Sequence, residues 1–311
     1  MAITAAMVKE LREVSGAGMM DCKKALTATE GDMDKAMEFL REKGLATAQK
    51  KAGRIAAEGI VMLNVSEDGK KAVAVEVNAE TDFVAKNEKF QSYVADVAAQ
   101  AVKTTATDID GFLAEKWEKD PSLTVKEALA SQIAIIGENM NIRRFEKVTC
   151  DNGIVVDYIH AGGKIGVLIA AETDNTGAEV VECLKNVAMQ IAAMNPQYLS
   201  SDDVSDEYKE REKAVLLAQA KNDPKNANKP DNIIEKMIIG RLNKELKEVC
   251  LTEQVYVKAE NKETVAKYVE SVAKAVGCNL TLKSFVRFET GEGLEKKEED
   301  FAAEVAAQMG N

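Results

Sequence analysis

The chain has 311 residues, 46% of them hydrophobic, and carries a formal net charge of −11 from 41 basic and 52 acidic side chains. That much apolar content can build a sizeable core in two or three domains, and the acidic balance excludes a broad nucleic-acid footprint, which would be basic. Four prolines and 30% charged residues favour a helix-rich α+β protein.

Residues 1–54 read as three short helices forming a small docking module. Thr4 is expected to cap the first, with Met7, Val8 and Leu11 on one face. Asp21 is expected to cap the second, with Cys22, Ala25 and Leu26 inward. Asp32 is expected to cap the third, with Met33, Ala36, Met37 and Leu40 inward and Gly44 ending it. Met19 and Met20 follow the Gly16-Ala17-Gly18 turn, where they either plug this mini-core or meet a partner. Lys50 to Arg54 reads as a basic linker or a solvated helix end.

Residues 55–150 form a first half-unit. Strands 60–65 and 72–79 are joined by Ser66-Glu67-Asp68-Gly69-Lys70, a turn with the Asp-Gly signal. In the second strand Val73, Val75, Val77 and Ala79 alternate with Ala74, Glu76 and Asn78, the period-2 pattern of a half-buried strand. Asn87 then caps a helix with apolar positions Phe90, Val94, Val97, Ala98 and Ala101. Asp82-Phe83 therefore lies on a strand-to-helix turn, where side chains are displayed. A less regular stretch around Trp117 and Pro121 precedes the capping box Thr124-Val125-Lys126-Glu127, and strand 140–148 closes the half.

A second half spans 151–195 and 251–289. Gly59-Ile60-Val61 recurs as Gly153-Ile154-Val155, and Ala79-Glu80-Thr81-Asp82 recurs as Ala171-Glu172-Thr173-Asp174. The following helix again carries a stripe, Leu184, Val187, Ala188, Ile191 and Ala192. Thr124-Val125 to Gly137 finds its partner in Thr264-Val265 to Gly277. Two diverged copies of one α/β subdomain with an antiparallel sheet account for these matches. This alignment sets Asn175 opposite Phe83, so the turn does not need the aromatic ring and Phe83 calls for another reason.

The insertion 196–250 carries Ile234, Ile238, Leu242, Leu246 and Val249 at coiled-coil-like spacing, with Val204, Tyr208 and Val215 as a weaker partner face. The segment from Asn222 to Pro230 turns between them. This helical hairpin is either a self-association arm or a stiff decoration. Residues 290–311 end in an amphipathic helix with Phe301, Val305 and Met309 on one side.

Catalytic chemistry finds no foothold. Among the 311 residues His160 is the single histidine, and no Gly-x-Ser-x-Gly elbow, Walker or dinucleotide glycine pattern occurs. The five cysteines, Cys22, Cys150, Cys183, Cys250 and Cys278, are scattered without a Cys-x-x-Cys pair and read as free, mostly buried thiols in a reducing cytoplasm. Metal and cofactor sites are not expected, and without a signal peptide or an apolar span of ~20 residues the chain is expected to be soluble and unexported. His160, at the tip of the 154–160/164–171 hairpin, serves structure, a partner contact or, with Glu80 and Asp82, acid-base chemistry that nothing else in the sequence asks for.

Several motifs together resemble the bacterial translation elongation factor Ts family. They are Arg12-Glu13 with Ser15 to Leu26, Thr81-Asp82-Phe83-Val84-Ala85-Lys86-Asn87, Ile136-Gly137-Glu138-Asn139 with Ile142-Arg143-Arg144, His160 with Ile165 to Leu168, and Phe288 to Gly293 with Asp300 to Val305. The resemblance implies a ubiquitin-associated-like N-terminal module, a two-subdomain core, a dimerisation hairpin at 196–250 and a C-terminal module. It implies nucleotide exchange on the GTPase elongation factor Tu, with no catalytic residue. Phe83 would insert into the GTPase near its Mg²⁺ and nucleotide, with Asp82 beside it and Thr81 and Val84 flanking. His160, Met19, Met20 and Phe301 would belong to the same partner surface. The alternative is a non-catalytic adaptor or chaperone acting through residues 1–54.

Overall fold

The computed structural model describes residues 2–223 and 229–296. The C-terminal helix expected around Phe301, Val305 and Met309 lies outside the described residues, as does most of the turn from Asn222 to Pro230.

Three helices, α1 (Ala5–Ser15), α2 (Met19–Ala28) and α3 (Met33–Lys51), close on a small core of Val8, Leu11, Cys22, Ala25, Leu26 and Ala36. Thr4 and Asp32 cap as their side-chain oxygens suggest, accepting from the amides of Met7 and Lys35. Two expectations fail here. Gly18, not Asp21, stands at the start of α2, and the Asp21 carboxylate in its first turn pairs with Lys43. Gly44 lies inside α3, which runs on to Lys51, so Lys50 and Lys51 are helix and not linker. Gly44 faces the helix Val125–Ile136, where a Cβ would sit 3.5 Å from the Ala130 carbonyl oxygen, an ordinary contact distance that leaves room for alanine. Nor do Met19 and Met20 fill the mini-core: both are more than half exposed.

The first subdomain is a three-stranded antiparallel sheet, β1 (Glu58–Val65), β2 (Lys71–Ala79) and β5 (Met140–Thr149), with β2 central. Helices α4 (Asp82–Ala85), α5 (Glu88–Ala101), α6 (Ile109–Ala114) and α7 (Val125–Ile136) accompany it, and a short hairpin, β3 (Lys116–Trp117) and β4 (Asp120–Thr124), fills the irregular stretch. The stripe Phe90, Val94, Val97, Ala98 and Ala101 seals one sheet face together with Trp117 and Ile133. The capping box at Thr124 and Glu127 is present with both bonds.

The second subdomain repeats this plan with β6 (Gly153–His160), β7 (Ile165–Thr173) and β8 (Leu280–Glu289), covered by α8 (Ala178–Met194) and α11 (Val265–Val276). Helices α7 and α11 both have 12 residues and both end on a left-handed glycine, Gly137 and Gly277. Between α8 and α11 the chain leaves for α9 (Asp206–Asn222) and α10 (Asp231–Val249), whose seam is Val204, Leu216, Ala220, Ile234, Ile238, Leu242 and Leu246. Val215 is exposed rather than in the seam, because the buried α9 positions fall one residue later, at Leu216 and Ala220.

The outer faces of the two sheets pack against each other through Val61, Ala72, Ala74, Leu168, Ala170, Val286 and Phe288. Strand β2 is therefore buried on both faces, not on one as its alternation suggested. This sheet-on-sheet contact encloses Glu76, which has no solvent exposure. A register shift after Glu76 pairs it with Arg144 and Val77 with Ile142, so Arg143 bulges out. Both arginines then reach the one carboxylate, Arg143 Nη1 at 3.0 Å and Arg144 Nε at 2.6 Å. The amide of Gly291, at the end of the second subdomain, donates to it at 2.8 Å.

Sheet register also corrects the alignment of the two halves. Gly59 pairs with Asn78 as Gly153 pairs with Glu172, and the Asn139 and Asn279 amides donate to Glu80 and Asp174 respectively. Glu80 thus corresponds to Asp174, not to Glu172. The buried stripes of α5 and α8 share one spacing, which sets Phe90 against Val180 and Val94 against Leu184. Residues 81–89 of the first half therefore stand where the second has 175–179. The first half contains one additional helical turn, the four residues of α4.

Candidate functional site

That additional turn carries Asp82 and Phe83. Thr81 adopts an extended backbone and caps it, its Oγ1 accepting from the Val84 amide at 3.3 Å. Val84 and Ala85 point into the first core beneath the turn. Val84, expected to flank Phe83, is buried beneath it and supports the turn from below. With the inward side taken by this pair, Phe83 faces outward and is 81% exposed, the most exposed large apolar side chain among the described residues. Fully wetting a phenylalanine forgoes about 2 kcal/mol of burial, so the fold itself gains nothing from Phe83 being aromatic.

Asp82 lies beside Phe83 and accepts from Lys86 Nζ at 2.6 Å. That ammonium, helped by Lys164, holds the carboxyl below its ordinary range. Lys164 belongs to the 3-10 turn at the tip of β6–β7, so the second subdomain reaches the neighbourhood of the turn. It gets there because Gly163 and Gly166 sit closely on β1: a Cβ at Gly166 would fall 2.5 Å from Val61 Cγ1. His160 stands exposed at the end of β6, its Nδ1 3.0 Å from the Tyr158 hydroxyl. Met19 and Met20 lie on α2 in the N-terminal module, and Phe301 is outside the described residues.

Behind the turn lies a layer of carboxylates. Glu138 receives Thr81 twice, the amide on Oε2 at 3.0 Å and the hydroxyl on Oε1 at 2.8 Å. Glu80 accepts the Asn139 amide at 2.5 Å, and Asn139 Nδ2 donates to the Arg54 carbonyl at 2.8 Å. Lys51, the last residue of α3, donates to the Gly137 carbonyl at 2.5 Å. The loop Gly137-Glu138-Asn139 thereby ties the exit of the N-terminal module to the base of the Phe83 turn. The sequence motif at this loop gives neither Glu138 nor Glu80 a role, since nothing local links 138 to 81.

Among the described residues there is no cluster of side chains suited to a metal ion and no helix long and apolar enough to cross a membrane. The site offers shape and one hydrophobic projection.

The family model described as "Elongation factor TS" matches residues 80–292, a span that starts at the base of this turn and takes in the first subdomain from the end of β2 onward together with the whole second subdomain. The chain is 54% identical over 307 residues to an "Elongation factor Ts" of Clostridium novyi, with 99% of each chain covered. It is equally similar, 54% over 307 residues, to that of Clostridioides difficile, with the same coverage. A relative from Trichlorobacter lovleyi is 52% identical over 314 residues, covering 100% of this chain and 99% of its own. An α+β fold of two repeated subdomains, an exposed phenylalanine on an inserted turn, and identity sustained along the whole chain lead to one assignment: the chain belongs to the elongation factor Ts family.

Proposed function

We propose that this chain performs its nucleotide exchange on elongation factor Tu by presenting Phe83 as a rigid wedge, with Asp82 beside it, to the region of the GTPase that holds GDP and its metal ion. The observation that carries this reading is the 81% exposed ring on a helical turn that the second repeat lacks. A docking aromatic of this kind contributes about 2–4 kcal/mol when a partner buries it, and each ~1.4 kcal/mol is tenfold in affinity. An exchange factor need make and break no covalent bond. It must bind the nucleotide-free GTPase more tightly than the loaded one, and that difference weakens GDP by the same factor. Reciprocity then lets incoming nucleotide expel the factor.

The remaining assignments follow this reading. Thr81 supports the turn, while Met19, Met20, His160 and Phe301 belong to the wider contact surface. The chain divides into a docking module at 1–54, core subdomains at 55–150 and at 151–195 with 251–289, a self-association hairpin at 196–250 and a C-terminal module at 290–311. Ile233, Ile239 and Leu217 exposed on the hairpin support self-association there. The acidic chain works in the cytoplasm without binding nucleic acid directly. A pure adaptor acting through residues 1–54 is not favoured, because the family match covers the core.

Phe83→Ala tests the wedge. The variant should keep the wild-type thermal midpoint, since the ring packs on almost nothing. It should slow release of fluorescent GDP from elongation factor Tu by at least about tenfold. Exchange at the wild-type rate would remove Phe83 from the mechanism.

A further inference from the structure

We propose that Glu138 is a positioning residue for exchange: its carboxylate clasps the start of the inserted turn and holds Phe83 at the angle from which it works. The inference rests on the wedge reading above and names the group that makes the wedge rigid.

The two repeats provide an internal comparison. Both close the loop after the fourth helix onto the end of the central strand in one way, the Asn139 amide to Glu80 and the Asn279 amide to Asp174. That bond belongs to the shared fold. The first half adds a second layer. Where the second half has Cys278, the first has Glu138, and both of its oxygens are used by Thr81. In the second half the chain needs no such clasp, because Asn175 at the position of Thr81 closes its own turn, Oδ1 accepting from the Gly177 amide at 2.7 Å. The carboxylate thus occurs in the half that has the additional turn, and it bonds the residue that caps that turn.

The geometry explains why a clasp is required. Helix α4 has only four residues, too few to hold itself by its own hydrogen bonds. Val84 and Ala85 anchor its inward side in the core, and Gln91 Nε2 holds the Ala85 carbonyl at 3.1 Å at its far end. Glu138 holds the near end by fixing Thr81 at two atoms 2.8 and 3.0 Å away. A wedge that swings must be ordered on binding, and ordering costs affinity for the nucleotide-free partner. Because Lys51 and Asn139 tie the same loop to the end of the N-terminal module, a partner that grips the module also steadies the clasp.

The test uses the full chain and GDP release from elongation factor Tu loaded with a fluorescent GDP, measured over a range of factor concentrations. Glu138→Ala should lower kcat/KM about tenfold, and Glu138→Gln, whose amide oxygen still accepts from Thr81, about threefold or less. The deciding variant is Glu138→Ala combined with Phe83→Ala. If Glu138 acts through Phe83, the pair loses no more than Phe83→Ala alone; independent roles would multiply. Should Glu138→Ala fail to fold by circular dichroism, Glu138→Gln enters the same cycle. Multiplying effects, or wild-type exchange by Glu138→Ala beside an impaired Phe83→Ala, would overturn the clasp and leave the wedge standing. Normal exchange by Phe83→Ala would overturn both.

Discussion

Replacing Glu76 with glutamine probes what holds the two subdomains together. The side chain is without solvent exposure and accepts from Arg143 at 3.0 Å, Arg144 at 2.6 Å, Asn78 at 2.9 Å and the Gly291 amide at 2.8 Å. Glutamine keeps the volume but removes the charge and turns an N–H toward the guanidinium groups. Breaking a buried pair from one side costs about 3–5 kcal/mol. Here the two arginines are 24% and 31% exposed and regain water, so the expected loss lies at the low end, about 3 kcal/mol. Urea unfolding at pH 7, followed by the emission of Trp117 in the first core, measures it. The pH dependence has a definite sign. Burial works against ionisation of Glu76, but the bonds from Asn78, Gly291 and Arg144 outweigh it and hold the carboxyl below its ordinary value of 4.5. Its stabilisation is therefore complete above pH 4.5 and is lost as pH falls through the depressed folded value. The gap between wild type and variant should narrow in acid. A Glu76→Gln variant within about 0.5 kcal/mol of wild type at pH 7 would refute the reasoning, since that is the scale of an exposed pair.

Three further outcomes are expected. Glu127→Gln should loosen the N-terminal module by about 1–2 kcal/mol at neutral pH, read as faster hydrogen exchange in α3. Because Arg41 and the Thr124 amide hold Glu127 at about 2, that difference should persist above pH 4.5 and vanish as pH falls toward 2. Gly59→Ala should cost about 3 kcal/mol or more, since Gly59 has φ +128 and its new Cβ would collide with the Val77 carbonyl oxygen. Gly44→Ala, with ordinary contact at 3.5 Å and helical backbone, should leave thermal stability unchanged or raise it by up to about 1 kcal/mol.

Much of the architecture was legible in residue order. The stripes Phe90 to Ala101 and Leu184 to Ala192 announced helices with one buried face, and both are buried as read. The oxygens of Thr4, Asp32, Asn87 and Thr124 announced helix starts that the structure contains. Such signals are local, because a periodic face or a cap involves residues within a few positions of one another. The repeat was visible too, but its motif alignment slipped by two residues at the turn. Similar letters, Ala-Glu-Thr-Asp, recur there in places that the sheet register separates.

What the sequence by itself determined is the main helices and strands of the two halves, the duplication and the display of Asp82-Phe83 on a turn. Tertiary structure alone decided that β2 is covered on both faces, that Glu76 gathers two arginines and the Gly291 amide, and that Glu138 holds Thr81 across 57 positions of chain. The reason is physical. Periodicity records which side of an element avoids water, whereas a carboxylate's partners depend on which distant strands and loops the packing brings within hydrogen-bonding reach of it.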